Sequence, residues 1–364
     1  MNKKQWVSSI FLSLIVISLM LPSIQATTRK EALITYVLEC DTEGGFTGTA
    51  GGVDPTLEFT FKALFLLNAY NMLSEIDETN IIEFVNDCKN GDYGFGNTEE
   101  ADSDIVSTYY ACWIFDRFNE EMSNYTYTWI AALQNGTEGF SEKVNESVAL
   151  YATYFGLEAL YINGTDLSKN NVSTWLLERQ NSDSGSDEYG GFATDGTSSN
   201  MWATWAAMGA LSRLNNISQV LAEPLASWIN TSQNLNIYED DYGAFSSKPA
   251  ETDYGLLTTY SAIYGLRKLG SSYLSRIELD TALNWVVDLQ NEDGGFRINS
   301  IIASSSLSAS YYAFALLYLL GEQGRLNTNA PWETGFALPL WAWILIGAGI
   351  LLLAIVIIRK YYSY

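Results

Sequence analysis

The amino-acid sequence predicts an all-α protein, an α6/α6 toroid of six helical hairpin repeats followed by one C-terminal transmembrane helix. Three observations predict this architecture. A Gly-rich turn that ends in Phe recurs six times, a helix with one apolar face precedes each turn, and a helix that is apolar on most faces follows it. Self-similarity at a fixed period of this length is typical of a repeat architecture.

The recurring turn is clearest in its last copy, Asp293-Gly294-Gly295-Phe296. The six copies are marked by Phe46, Phe95, Phe140, Phe192, Phe245 and Phe296, which are separated by 49, 45, 52, 53 and 51 residues. Glycine allows the positive φ that a sharp reversal of the chain requires. We therefore interpret the turn as architectural, with its Phe packed between neighbouring repeats.

The two kinds of helix predict two layers. In the last repeat Leu279, Leu283 and Val286 form one apolar stripe before the turn, as expected of a helix with one buried face. The helix after the turn, 307–320, is apolar on most faces and therefore needs cover on most faces. We expect the first helices to form an outer ring and the second helices an inner ring. An open solenoid of six hairpins is the alternative.

The N-terminal residues 1–26 are typical of a secretory signal peptide. Lys3 and Lys4 precede an apolar run over 6–21, and Ala26 offers a small residue for cleavage. An uncleaved N-terminal anchor is the alternative, although the run is short for a membrane span.

The C-terminal segment 336–358 has no charged residue and is long enough to span a membrane. Arg359 and Lys360 follow at once, so the positive-inside rule places the tail 359–364 in the cytoplasm. The toroid, 27–330, is therefore expected outside the cytoplasm. The sequence predicts a single-pass protein of the cell membrane.

The chain carries a formal net charge of −23, and four of its basic residues lie in the two ends. A body this acidic repels nucleic acid, so we expect no nucleic-acid partner. Seven Asn-x-Ser/Thr sequons predict glycosylation of an exported body. They begin at Asn124, Asn135, Asn145, Asn163, Asn171, Asn216 and Asn230.

The three cysteines allow one disulfide and one free thiol. Cys40 and Cys88 are assigned to the place that Gln134, Gln180 and Gln290 fill in other repeats, so a bridge between these two is one prediction. A bridge between Cys88 and Cys112 is the other.

The stretch 289–296, which reads LQNEDGGF, resembles the repeat signature of the terpenoid cyclase and protein prenyltransferase β-subunit superfamily. The stretch 243–266, with Gly243-Ala244-Phe245 and Thr258-Thr259-Tyr260, is similar to a late prenyltransferase repeat. The resemblance covers residues 30–322 and implies an α6/α6 toroid with a central cavity.

The resemblance also implies a catalytic zinc, which prenyltransferases hold with an Asp, a Cys two residues later and a His from a later inner helix. This chain contains no His. Asp54 and Asp104 match the zinc Asp, but Thr56 and Val106 take the place of the Cys, and Thr258 that of the His. We therefore expect neither zinc nor another cofactor.

Acidic residues precede several inner helices. Asp54, Asp104 and Asp253 are assigned to equivalent places in three repeats, which would cluster them at one mouth of the cavity. Carboxylates at such places stabilise helix N-termini. A weak cation site or the paired acids of a hydrolase are the alternatives, and Glu58 and Glu146 are further candidates for such a pair. The acid cluster of related cyclases is represented only by the Asp-x-Asp of 102–104.

These observations favour a membrane-anchored cell-surface protein that binds a ligand or a protein partner without catalysis. Aromatic residues make up 14% of the chain, and those on the inner helices either pack the toroid or line a cavity for an apolar or sugar-like ligand. A divergent enzyme of the prenyltransferase and cyclase superfamily that acts on an apolar substrate is the alternative, followed by a carboxylate-dependent hydrolase. Whether the protein is an enzyme stays open.

Overall fold

The computed structural model describes residues 27–42, 44–167, 171–194 and 198–333. The predicted signal peptide 1–26, transmembrane helix 336–358 and tail 359–364 lie outside these residues. No helix among the described residues combines the length and the apolar character that crossing a membrane requires.

Two kinds of helix alternate along the chain from Arg29 to Thr328, as predicted. The outer helices are α1 (Arg29–Glu39), α3 (Glu78–Asp87), α5 (Asn124–Ala132), α7 (Ser173–Leu177), α9 (Ala222–Asn230) and α12 (Leu279–Asp288). The inner helices are α2 (Leu57–Ala69), α4 (Ile105–Phe118), α6 (Leu150–Ile162), α8 (Met201–Arg213), α10 (Leu256–Leu269) and α13 (Leu307–Leu320). The short α11 (Ser271–Leu274) follows α10 directly.

The inner helices form a closed ring. Each packs against the inner helices of the repeats before and after it, and α2 packs against α13. Each outer helix lies against the inner helix of its own repeat. The structure is therefore an α/α toroid, and the open solenoid is excluded because the first and last inner helices are in contact.

The recurring turn is built by one contact that all six repeats share. The Phe of each turn is fully buried, and its backbone N–H donates to a hydroxyl one turn into the inner helix that follows. The accepting oxygens belong to Thr60, Thr108, Thr153, Thr204, Thr259 and Ser310, at distances between 2.9 and 3.2 Å. Because a buried backbone N–H without a partner is costly, this hydroxyl fixes the Phe against the helix. The architectural interpretation of the turn agrees with these contacts.

A glutamine beside the turn joins neighbouring repeats. The side-chain amide of Gln180 donates to the carbonyl of Leu221 at 3.2 Å, and that of Gln233 to Glu278 at 3.1 Å. The equivalent Gln290 donates to the carbonyl of Arg29 at 2.8 Å, which joins the last repeat to the first. The same device thus links successive repeats and closes the ring.

A glycine in the last turn allows this closure. Gly294 has a φ of +87°, and a Cβ at this position would lie 2.1 Å from the backbone carbonyl oxygen of Ala32. Only glycine combines that φ with so close an approach of two backbones.

The structure corrects the predicted disulfide. Cys40, Cys88 and Cys112 are buried free thiols. The sequence register was wrong by one residue, because Asp41 and Lys89 are the residues that pair with the turn Phe as Gln134 does. Cys40 and Cys88 precede that position and point into the interior of the fold. Burial is the largest cause that raises the pKa of each thiol from 9.0 to about 12.

Candidate functional site

The toroid interior is lined by one face of each inner helix. Tyr260, Tyr264 and Lys268 follow at intervals of four residues on α10, and Trp205 and Arg213 lie on one row of α8. Residues four apart share a helix face. Each inner helix therefore brings aromatic side chains to the middle of the ring, and several bring a charged residue to one end.

The aromatic side chains form a closed belt to which every inner helix contributes. Neighbouring ring centroids are 4.7–6.2 Å apart along the whole circuit. The circuit runs through Phe61, Tyr110, Phe155, Trp205, Tyr264, Tyr260, Tyr312 and Tyr311, and returns to Phe61. Separations of this size are favourable for aromatic pairs. The belt is a continuous and largely buried ring of aromatic side chains that includes five phenol groups.

The phenols of the belt are protonated at neutral pH. Burial raises the pKa of Tyr260 from 10.0 to about 12, and it raises the pKa of Tyr110 and Tyr311 well above the ordinary value. Desolvation disfavours the phenolate. These hydroxyl groups are therefore uncharged.

Gly209 makes room for two tyrosine side chains, Tyr264 of the belt and the neighbouring Tyr154. A Cβ here would lie 2.6 Å from the ring of Tyr154 and 3.2 Å from the hydroxyl of Tyr264. The absence of a side chain on α8 lets these two rings approach each other over the helix backbone.

The interior holds a buried ammonium group at the end where the inner helices begin. The Lys62 side chain is only 3% exposed and forms an ion pair with Glu58, one helical turn earlier. It also donates to the hydroxyl of Ser308 at 2.7 Å and lies 5.2 Å from the ring centroid of Tyr312. Burial lowers the pKa of Lys62, and Glu58 opposes this shift. The charge is thus neutralised locally between α2 and α13.

A second ion pair lies at the opposite end, where the inner helices end. The Arg213 guanidinium donates to both carboxylate oxygens of Glu158, at 2.8 and 2.5 Å. Arg213 also lies 3.8 Å from the ring centroid of Tyr161. Lys268 approaches from α10, with its ammonium 4.9 Å from the ring centroid of Tyr264. Two cations, Arg213 and Lys268, thus lie near the Glu158 carboxylate at this end.

The sequence prediction of interior acids missed most of these groups. It selected Glu58 but not Lys62, Glu158, Arg213 or Lys268. A signal was present, because a charged residue inside an otherwise apolar helix needs a partner, and Glu58 and Lys62 have the spacing of a helical ion pair. Arg213 and Lys268 lie in last turns, where a cation is also expected for the helix dipole, so the pattern alone does not reveal that they face inward.

Asp54, Asp104 and Asp253, which the sequence predicts at one mouth of the cavity, occupy different local environments. Asp104 is the N-cap of α4, and its carboxylate accepts from the backbone N–H groups of Val106 and Ser107 at 2.9 and 2.8 Å. Asp54 is exposed, and Asp253 accepts from the Ser247 N–H within a loop.

The assignment of the three acids to equivalent places was wrong. The N-caps of α2 and α10 are Thr56 and Gly255. Asp54 and Asp253 therefore lie two residues before the N-caps of their own helices, whereas Asp104 is itself the N-cap of α4. Among the described residues, no group of three or more His, Cys, Asp or Glu side chains is placed to hold a metal ion. Asp54, Asp104 and Asp253 accordingly form no such group.

The residues at the places of the zinc ligands do not fit a zinc ion. The Thr56 hydroxyl accepts from the Phe59 N–H at 3.2 Å, and the Thr258 hydroxyl donates to the carbonyl of Phe245 at 2.6 Å. Zinc in proteins is held by imidazole, thiolate and carboxylate groups. Hydroxyls engaged with the backbone, together with the hydrocarbon side chain of Val106, supply none of these donors.

Most of the sequons are accessible to modification. Asn124, Asn135, Asn145, Asn163 and Asn171 are exposed, whereas Asn216 and Asn230 are half-buried. The side-chain amide of Asn216 also donates to the Ser173 hydroxyl at 2.6 Å. We therefore expect glycans on the exposed five before the other two.

A closed ring of helical hairpins around an aromatic interior defines an α/α-toroid protein. The family model of the prenyltransferase alpha-alpha toroid domain matches residues 2–193 and 186–334, and the chain belongs to this family. It is 30% identical over 121 residues to the protein farnesyltransferase subunit beta of Pyricularia oryzae. That match covers 33% of this chain and 22% of the relative, so the chain spans about a fifth of the relative's length.

Solved structures share the fold at low identity. Protein geranylgeranyltransferase-I of Candida albicans, complexed with GGPP, is 17% identical, with a TM-score of 0.54 over 80% of this chain and 86% of that chain. The type II terpene cyclase MstE of Scytonema is 10% identical, with a TM-score of 0.56 over 82% of this chain and 97% of that chain. At these identities the likeness concerns the fold alone.

Proposed function

We propose that this protein is a membrane-anchored, extracytoplasmic binding module whose toroid interior holds an elongated apolar ligand of the isoprenoid kind. The observation that carries the proposal is the closed aromatic belt, to which all six inner helices contribute. An apolar wall with a few polar groups is typical of small-molecule sites. The fold relative complexed with GGPP supports the choice of an isoprenoid.

Binding without catalysis is favoured by the state of the interior carboxylates. Glu58 is paired with Lys62, and both oxygens of Glu158 accept from Arg213. A carboxylate engaged in this way is poorly suited to act as the acid of a cyclase or of a glycosidase. The alternative, a divergent enzyme of the family, would be detected as turnover of GGPP.

Ligand binding is tested on the full chain, purified in detergent. Titration with the uncharged alcohol geranylgeraniol should quench the fluorescence of Trp113, Trp202 and Trp205 in a saturable way. Native mass spectrometry of the untreated protein should release a co-purified apolar molecule on denaturation. Absence of saturable binding to geranylgeraniol would contradict the proposal.

Two matched substitutions locate the bound alcohol. Tyr260→Leu removes one ring of the belt and should weaken binding roughly fivefold, the size of one aromatic contact. Tyr238→Leu changes a tyrosine that is 91% exposed on an outer loop and should leave the affinity unchanged. Equal losses in both variants would place the ligand elsewhere.

The membrane topology has its own test. The full chain should stay in the membrane pellet after washing at alkaline pH, and external protease should digest the toroid on intact cells. Treatment with a peptide N-glycosidase should increase its gel mobility, and Asn124→Gln should remove part of that shift. Release into the supernatant, or protection from external protease, would contradict the anchored, outward-facing arrangement.

A further inference from the structure

We propose that a groove on the outer ring, beside α5, is a carbohydrate-binding site whose occupant is the chain's own N-linked glycan on Asn163. This inference rests on the outward-facing arrangement in the proposed function, because N-linked glycans are attached to exported chains. It does not depend on any ligand in the toroid interior.

The groove has a volume of about 620 Å³ and lies between α5 and the segment that follows α6. Its wall on α5 is a single helix face, because the lining residues are spaced by three or four positions. This wall comprises Asn124, Tyr127, Thr128 and Ala131. Sites of roughly 300–1,000 Å³ hold small molecules, so the groove is large enough for a few sugar rings.

A short outer helix leaves this side of α5 open. The outer helix α7 has five residues, whereas the other five outer helices have nine to eleven. Asn171, which lines the groove, lies two residues before α7 begins. The groove therefore lies where the cover of the outer ring is least extensive.

The lining of the groove combines apolar and hydrogen-bonding groups. Leu160 and Leu167 are buried beneath it, and the ring of Tyr127 is half-buried in its wall. The Thr128 hydroxyl and the Gln134 amide supply both donors and acceptors. A sugar ring has an apolar face, which packs on aromatic and aliphatic groups, and hydroxyls around its edge. The lining fits such a ligand better than it fits a purely apolar one.

The positions of the sequons identify the source of the sugar. Asn124, Asn163 and Asn171 line the groove themselves. Asn135 lies between Gln134 and Gly136, which also line it. Four of the seven sequons in the chain thus border this one groove. A glycan attached here is held beside the groove by its covalent bond, so a modest contact energy is enough to keep it bound.

Asn163 is the attachment point that the geometry favours. It is exposed and caps the end of α6, three residues after Leu160. Residues three apart share a helix face, so a glycan on Asn163 begins directly above the buried Leu160. Thr165, the third residue of the same sequon, also lines the groove. The glycan would then extend along α5 toward Ala131.

The test measures how fast each glycan is released from the folded protein. The full chain is produced in cells that attach N-linked glycans and is treated with a peptide N-glycosidase, and mass spectrometry follows the release at each asparagine. Enzymatic attack on a packed group follows the population of its open state. We expect release at Asn163 to be about tenfold slower than at Asn145, the factor that roughly 1.4 kcal/mol of contact energy gives.

Asn145 is a suitable reference because it is exposed and does not line the groove. In the denatured protein the two glycans should be released at similar rates. Equal rates at Asn163 and Asn145 in the folded protein would overturn the inference.

Two matched substitutions on α5 locate the packed glycan. Ala131→Gln places a larger neutral side chain in the groove and should speed release at Asn163 severalfold. Ala132→Gln is the control, because Ala132 is also exposed on α5 but does not line the groove. It should leave the rate unchanged. Equal acceleration in both variants would indicate a general loosening of α5 and would contradict binding in the groove.

The occupancy of the sequons separates this inference from the proposed function. Glycans at other sequons but none at Asn163 would overturn the groove site and leave the outward-facing arrangement intact. If no sequon carries a glycan, the outward-facing arrangement fails and the groove site fails with it. Binding of geranylgeraniol should be the same in Ala131→Gln as in the unmodified sequence, because the groove lies outside the ring of inner helices.

Discussion

The turn layer and the interior of the toroid differ in how far their residues repeat. In the turns, a buried Phe, a hydroxyl that accepts from its N–H and a short bridge recur in all six repeats. In the interior, the last turns of the inner helices carry different side chains, among them Arg117, Tyr161, Arg213 and Lys268. Contacts that recur build the ring, whereas positions that diverge give the interior its chemistry.

The strongest way to test this difference is to remove one recurring Phe. Phe296→Ala should reduce the free energy of unfolding by about 3–5 kcal/mol, the usual cost of deleting a fully buried aromatic ring. Urea denaturation followed by circular dichroism measures it. Tyr311→Phe, which removes only a hydroxyl from the belt, is the control and should cost far less. Similar losses in the two variants would show that the turns are no more structural than the interior.

Alkaline pH tests the burial of the cysteines and of the belt tyrosines by titration. The pKa of Cys40, Cys88 and Cys112 is raised from 9.0 to about 12 in the folded chain, so their contribution to stability is complete below pH 9 and is lost as the pH rises toward 12. Linkage predicts a loss of about 1.4 kcal/mol per pH unit for each thiol. The urea midpoint at pH 8, 9.5 and 11 measures the slope.

Replacement of the three cysteines by alanine separates the thiols from the tyrosines in this titration. The variant should keep the part of the slope that comes from the belt, because the phenols have raised pKa values as well. A slope unchanged by the triple substitution would contradict the assigned burial of the thiols.

A smaller effect is expected from the hydroxyl that holds the turn. Thr153→Val leaves the Phe140 N–H without its acceptor and should cost about 1–3 kcal/mol. Thr128→Val, on the exposed part of α5, is the control and should cost less than about 0.5 kcal/mol. If the two variants unfold at the same urea concentration, the recurring hydrogen bond does not explain the recurring hydroxyl.

Much of the fold was predictable from local patterns. The spacing of Phe46, Phe95 and the later copies revealed the repeats, and the apolar character of the second helices predicted an inner ring. The register within a repeat was less predictable, since one residue separates Cys40 from the position that Asp41 takes. Loops of different length precede the inner helices, which is why Asp54 and Asp253 were wrongly aligned with Asp104.

The amino-acid sequence alone was sufficient for the all-helical class, the number of hairpins and the two layers, because periodicity and turn residues act over short stretches of chain. Tertiary structure was needed for the closure of the ring through Gln290 and Arg29, for the free thiols and for the pairing of Arg213 with Glu158. These contacts join residues that are 55 to 261 positions apart. No local pattern encodes them, because they depend on how the six hairpins pack around a common centre.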